Sequence, residues 1–139
     1  MPTNPALQVP PNSDLTLGMV CRDKSEPGRT VWTMTADERF ANPAGIMQGG
    51  FLAAFCDSTM GAAAVTFVEG RRVIAANAEM KISFFAPVAT GAALTCAAVV
   101  VSGGRRVAFV EATVVADDGS GDPTEVARAS STYLFTDRS

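Results

Sequence analysis

The stretch Asn42-Pro43-Ala44-Gly45-Ile46-Met47-Gln48-Gly49-Gly50 runs directly into Phe51-Leu52-Ala53-Ala54-Phe55-Cys56-Asp57-Ser58-Thr59-Met60-Gly61-Ala62-Ala63-Ala64-Val65-Thr66-Phe67. Its second part is rich in helix formers, so the sequence predicts one long buried helix over residues 51–67. That helix carries a single charge, Asp57. A carboxylate on an otherwise apolar helix must be compensated, so Asp57 is either a structural anchor or the working group of a site. Gly49 and Gly50 favour the second reading. Without Cβ atoms they let a ligand approach the backbone, and the unpaired amides of a helix N-terminus offer partial positive charge to a developing oxyanion.

Helix geometry adds a constraint. Gly50 and Asp57 are seven residues apart, which puts them on nearly the same face but separates them by roughly 10 Å along the axis. The Asp57 side chain leans back toward the N-terminus, yet it falls short of an atom held by its own helix's first amides. If both groups act on one carbon, two antiparallel copies of the helix solve the problem, each giving half of each site. The stretch therefore points to a two-fold dimer with shared sites.

The chain has 139 residues, 47% hydrophobic and 18% charged, which suits one soluble domain with a proper core and argues against disorder. With a net charge of -3 and no basic stripe, a nucleic-acid surface is not expected. There is no histidine at all. That removes serine–histidine and cysteine–histidine nucleophile systems, histidine acid–base catalysis and most catalytic zinc or iron sites, so no metal or cofactor is expected. Chemistry must come from carboxylates, amides, backbone donors or lysine. Cys21, Cys56 and Cys96 are widely spaced and show no metal or redox motif; they read as reduced core thiols of a cytoplasmic protein.

Residues 1–13, with Pro2, Pro5, Pro10 and Pro11, read as an extended arm without signal-peptide character, and residues 14–139 as the single domain. The central helix is long enough to span a membrane, but an acid at mid-helix costs roughly 2.5–3.5 kcal/mol to insert. No membrane partner is expected. Short β-type runs at 15–23 and 30–35 flank a polar turn at 24–28, and a loop at 36–48 leads into the helix. After it, the chain reads as strands over 73–85, 92–101, 106–116 and 125–135. In the first, Asn77, Glu79, Lys81 and Ser83 alternate with Ala78, Met80, Ile82 and Phe84, a period of two with one face buried. Residues 87–91 make a turn, Ser102-Gly103-Gly104-Arg105 a hairpin, and residues 117–123 a further turn. One helix can be covered only if the sheet curls around it. The expected class is α+β, a curved antiparallel sheet wrapped around one long helix, with end strands suited to pairing with a second copy.

These residues resemble the hotdog-fold acyl-CoA thioesterases, particularly the phenylacetate-degradation type, over roughly residues 18–135. The most specific part is Asn42, then Gln48-Gly49-Gly50 six residues later, then Asp57 nine beyond Gln48. The family places a His-Gly-Gly and a helical aspartate at those spacings. Asn77-Ala78-Glu79-Met80-Lys81-Ile82-Ser83-Phe84-Phe85-Ala86-Pro87 is similar to the family's strand after the helix, in which a residue at the Asn77 position helps place water. The resemblance implies hydrolysis of an acyl-CoA thioester in a homodimer or dimer of dimers. The Gly49 amide, with Gln48 and Asn42, would polarise the carbonyl. Asp57 of the opposite subunit, with Asn77, would direct water as general base or attack the carbonyl itself. Gly50 would admit the substrate, and Ser102, Gly103, Gly104, Arg105 and Arg106 correspond to a region that contacts CoA in relatives, the arginines suiting phosphates.

Gln48 stands where the family has histidine. Glutamine donates a hydrogen bond but exchanges no proton near neutral pH; a thiolate leaves well at that pH, so little protonation is needed. The alternative is a non-catalytic acyl-CoA-binding module, which loss of Asp57 would have favoured. A dehydratase is expected to need a histidine beside its carboxylate. Phe40, Met47, Phe51, Phe55, Met60 and Phe84 read equally as an acyl pocket or as core.

Overall fold

A computed structural model describes residues 9–138. After a first helix α1 (Asn12–Leu17) come strands β1 (Val20–Asp23) and β2 (Arg29–Thr35), a 3-10 turn at Glu38–Phe40, and the long helix α2 (Gly49–Phe67). Four long strands complete the fold: β3 (Val73–Phe84), β4 (Ala93–Gly103), β5 (Val107–Asp117) and β6 (Thr124–Asp137). All six strands form one antiparallel sheet in the order β1-β2-β4-β5-β6-β3. The sheet wraps α2, which packs against β2 through β6. This is the α+β hotdog arrangement.

Small inward residues let the sheet close on the helix. Cys96 and Ala98 of β4, Ala108 and Ala112 of β5, and Ala127 and Ala129 of β6 are buried, facing a helix whose Leu52, Phe55, Met60 and Ala63 are buried in turn. Full burial of Phe55 or Met60 contributes about 1.5–3 kcal/mol each. Polar clasps fix the helix along β2 and its preceding turn: Thr30 Oγ1 donates to the Thr59 carbonyl at 2.9 Å, and the Gly28 amide donates to Thr66 Oγ1 at 3.0 Å. A helix of membrane-spanning length and composition is thus the core of a sheet-wrapped domain.

Two expectations are corrected. Residues 15–23 are not one β-run, because α1 occupies Asn12–Leu17 before β1 begins at Val20. The Leu15 amide donates to the Pro11 carbonyl, and Gly18, at φ 73°, closes the turn in the left-handed region where glycine costs nothing. Asn12 and Ser13, expected in an extended arm, are thus helical, and residues 1–8 of that expected arm lie outside the described residues. Residues 87–91 turn the chain as expected, and the turn begins no β3–β4 hairpin, since β3 pairs with β6 and β4 with β2 and β5. The crossover instead lies against the loop before α2, with the Met47 amide donating to the Val88 carbonyl at 2.9 Å. Second, β3 does not alternate strictly. Its register slips between Asn77 and Glu79, leaving Ala78 as the extra residue of a bulge.

Candidate active site

The bulge decides where Asn77 points. Strict alternation would put Asn77 on the same face as Glu79 and Lys81. With one residue inserted, Asn77 pairs across the sheet with buried Tyr133, while Glu79 pairs with Thr132 and remains exposed. Asn77 and Tyr133 thus both face α2. There they meet Asp57, whose residue is exposed in the isolated chain. Tyr133 Oη donates to Asp57 Oδ1 at 2.6 Å and lies 2.8 Å from the Asp57 carbonyl. Asn77 Nδ2 donates to the same Oδ1 at 3.0 Å and reaches Ser131 Oγ at 3.2 Å. Oδ2 has no partner among the described residues, and no arginine or lysine pairs with this carboxylate. Both donors are neutral, so Asp57 is held in place without losing its charge to a cation.

Burial raises the Tyr133 phenol well above its usual range, and the Asp57 carboxylate raises it further. The hydroxyl is therefore a permanent donor at any working pH. Next to Asp57, the Cys56 thiol is also pushed up, by its hydrogen bond with Cys96 and by burial; it is fully buried and has no access to a substrate. All three cysteines are free thiols.

At the other end of the site, α2 starts at Gly49, with Gln48 as its N-cap in extended backbone and without a side-chain capping bond. The Gln48 amide donates to the Phe40 carbonyl at 2.8 Å, and the Phe51 amide to the Gln48 carbonyl at 3.0 Å. The Gly49 and Gly50 amides have no acceptor among the described residues, as expected for the first turn of a helix. Asn42 braces the loop that leads here: its Oδ1 accepts from the Ala44 amide at 2.9 Å and the Ile46 amide at 3.1 Å. Its acceptor is spent on the loop. A cavity of about 400 Å³ opens beside the helix start, lined by Met47, Gly49, Leu52, Phe84, Pro87 and Val88 among others. A Cβ at position 49 would stand 2.9 Å from Phe84 Cζ. Of the six residues read as pocket or core, Met47 and Phe84 line this cavity, whereas Phe40, Phe55 and Met60 are core and Phe51 is half-buried, stacked on Phe40.

One chain does not bring all the expected groups together. Asp57 lies eight residues from Gly49, about 12 Å along the axis. Ser102, Gly103, Gly104, Arg105 and Arg106 form the β4–β5 hairpin at the far end of α2, where Gly103 packs against the Phe67 ring and Arg71 Nη1 donates to the Arg105 carbonyl at 2.7 Å. Arg105 and Arg106 are exposed there. Tyr133 had no sequence signal beyond being the one tyrosine, on a strand phase facing the core; an inward tyrosine has to place its hydroxyl. No group of three or more metal-ligating side chains occurs among the described residues.

Comparisons with known proteins agree with this architecture. The model of the thioesterase superfamily matches residues 44–121. A search of curated proteins gave no match. Among solved structures, a thioesterase family protein from Silicibacter pomeroyi superposes with a TM-score of 0.85 at 25% identity, over 94% of this chain and 93% of that one. A phenylacetic acid degradation-related protein from Ralstonia eutropha gives 0.78 at 29% identity, over 89% of each chain. A Streptococcus mutans protein, solved with acetyl CoA bound, shares the fold at a TM-score of 0.73 and 23% identity, over 86% of this chain and 88% of that one. The family model covers more than half of the chain and includes both the helix start and Asp57: this protein is a thioester hydrolase belonging to the thioesterase superfamily.

Proposed function

We propose that the protein hydrolyses acyl-CoA thioesters to the free acid and CoA. The observation that carries this reading is the Asp57 carboxylate, fixed through Oδ1 by two neutral donors and open at Oδ2, on a helix whose Gly49 and Gly50 amides are unused. Those amides suit the carbonyl oxygen as it becomes an oxyanion. Asp57 acts as base or nucleophile. As base, Oδ2 takes a proton from water while the water oxygen bonds to the acyl carbon; the C–S bond then breaks and the thiolate leaves with the electron pair, to be protonated from the pool. As nucleophile, Oδ2 bonds to the acyl carbon, the C–S bond breaks and the thiolate leaves with the electron pair, and water then cleaves the anhydride to the free acid and the Asp57 carboxylate.

The two halves come from different copies. If Gly49 of one subunit faces Asp57 of the next, the two-fold axis passes near Ala53, midway between them. Ala53 and Ala54 are half-buried in the single chain and small enough for two helices to cross closely there. The edge strand β3 is free to pair with its counterpart, giving a homodimer. The cavity at the helix start takes the acyl group, and the exposed arginines of the β4–β5 hairpin suit the CoA phosphates. That a fold relative binds acetyl CoA supports the choice of thioester, and three unpaired thiols fit a cytoplasmic setting.

The test is thiol release from a panel of aliphatic and aryl acyl-CoAs by wild type and Asp57→Ala, with binding of a non-hydrolysable analogue alongside. Turnover that falls by at least about a hundredfold in the variant while binding persists is the expected result. Tight binding without turnover in the wild type would mean a binding module, with Gln48 unable to replace a proton-exchanging residue. The absence of both turnover and binding would rule out CoA as the thiol component.

A further inference from the structure

Tyr133 does more than fill the core beneath Asp57. We propose that it is a positioning residue for the reaction: its hydroxyl, together with the Asn77 amide, locks the Asp57 carboxylate by Oδ1 and commits Oδ2 to the substrate. This rests on the reading of Asp57 as the reacting group.

The geometry separates this role from ordinary packing. A buried tyrosine needs one acceptor, and the Asp57 carbonyl at 2.8 Å already supplies it. The hydroxyl nonetheless sits 2.6 Å from Oδ1, so the ring is placed where it addresses the carboxylate as well. What holds the ring there is on both sides. Across the sheet it is registered against Asn77, and on the helix it lies under Gly61, where a Cβ would be 3.6 Å from Cε1. Gly61 is one turn beyond Asp57, so the ring runs along the helix and its hydroxyl reaches back to the acid. Tyr133 is 1% exposed, so the donor side of the bond is shielded from water.

Asn77 completes the lock from the opposite strand. Its Nδ2 is directed at Oδ1, Ser131 Oγ and Tyr133 Oη together. The reverse amide orientation would turn Asn77 Oδ1 onto the carboxylate, two acceptors face to face. A carboxylate on an exposed helix face otherwise turns freely about its last torsion, which has broad minima. With Oδ1 held by two donors, that torsion is fixed and Oδ2 is the one oxygen left to take a proton or attack a carbonyl. The three residues are far apart in the chain, Asp57 and Tyr133 by 76 positions, and only the bulge at Ala78 brings the Asn77 side chain to the same face.

The experiment is a double-mutant cycle between Tyr133→Phe and Asp57→Asn, with kcat and KM measured on the acyl-CoA that the wild type turns over fastest. Phe keeps the ring and its packing. Tyr133→Phe is expected to lower kcat about ten- to a hundredfold, the range carried by a hydrogen bond to a charged group, with KM and analogue binding changed less than about twofold. In the Asp57→Asn background the same change should lower the residual turnover less than about twofold, because the groups act as a unit. Asn77→Ala, which removes the other donor, should mirror Tyr133→Phe. The proposal is overturned if Tyr133→Phe keeps wild-type kcat, or if its loss is equally large without the carboxylate. If Asp57→Asn itself is fully active, the reading on which the proposal rests is wrong, and the proposal falls with it.

Discussion

Replacing Asp57 by Asn separates chemistry from stability with unusual clarity, because every partner of the side chain is known. Asn has nearly the same shape, and its amide oxygen can occupy the place of Oδ1, still accepting from Tyr133 Oη and Asn77 Nδ2. Its NH2 group replaces Oδ2, which has no partner to lose. Even if the amide sits imperfectly, both donors keep a second acceptor: the Asp57 carbonyl at 2.8 Å for Tyr133 and Ser131 Oγ at 3.2 Å for Asn77. The cost to folding is therefore at the low end for a perturbed hydrogen bond, about 1 kcal/mol or less. Turnover faces a different scale. Loss of a general base removes about a hundred- to ten-thousandfold, equivalent to ~3–5.5 kcal/mol of barrier. Thiol release and thermal unfolding measured on the same preparation check both figures. A variant that retains turnover within about tenfold of wild type would refute the assignment of Asp57. A variant whose Tm collapses together with its activity would refute the hydrogen-bond accounting.

Gly49→Ala places a Cβ 2.9 Å from Phe84 Cζ, so the half-exposed ring must swing away and reshape the cavity; turnover should fall about tenfold, with Tm nearly unchanged. Native protein treated with a disulfide thiol reagent near neutral pH should label Cys21 ahead of the other two, since Cys56 and Cys96 are fully buried, and all three once unfolded; rapid native labelling of Cys56 would contradict the packing of α2. Asp137 is held below its usual value of 3.8 by its hydrogen bond to Arg71. A depressed folded-state pKa contributes stability above the unfolded value and loses it as pH falls through the folded one, here below about pH 4. Asp137→Asn should consequently lose less Tm than wild type on acidification through that window.

The features legible in the sequence were those with a local cause. A single acid in an apolar run, preceded by two glycines, is enough to identify α2 and its N-terminus, and period-two patterning is enough to find the strands. What stayed hidden depends on partners distant in the chain. Residues 87–91 read as a turn, but turn chemistry does not say that the chain crosses over there, as it must when β3 pairs with β6. Asn77 alternates with Glu79 and Lys81 in sequence but shares their face only without the bulge. Asn42 matches a spacing, and the sequence does not show that its Oδ1 also braces the loop, which leaves Nδ2 as its donor. The six-residue α1 rests on Gly18 closing its last turn, a signal that neighbouring β-type residues outweigh by composition. Tyr133 carries no motif at all.

The absence of histidine becomes intelligible once the parts are assigned to two copies. A thioester needs an oxyanion site, an activated nucleophile and little help for its leaving group, since the thiolate departs without full protonation near neutral pH. In the proposed assignment, backbone amides at Gly49 and a carboxylate at Asp57 cover the first two. Placing Asp57 of one subunit near the helix N-terminus of the other also puts a negative charge at the positive end of a helix, an interaction of about 0.3–1 kcal/mol. The same field that stabilises the oxyanion would thus favour the dimer before any substrate is bound. Activity should follow dimer concentration on dilution, because a lone chain holds Asp57 and its own first amides about 12 Å apart along a rigid helix.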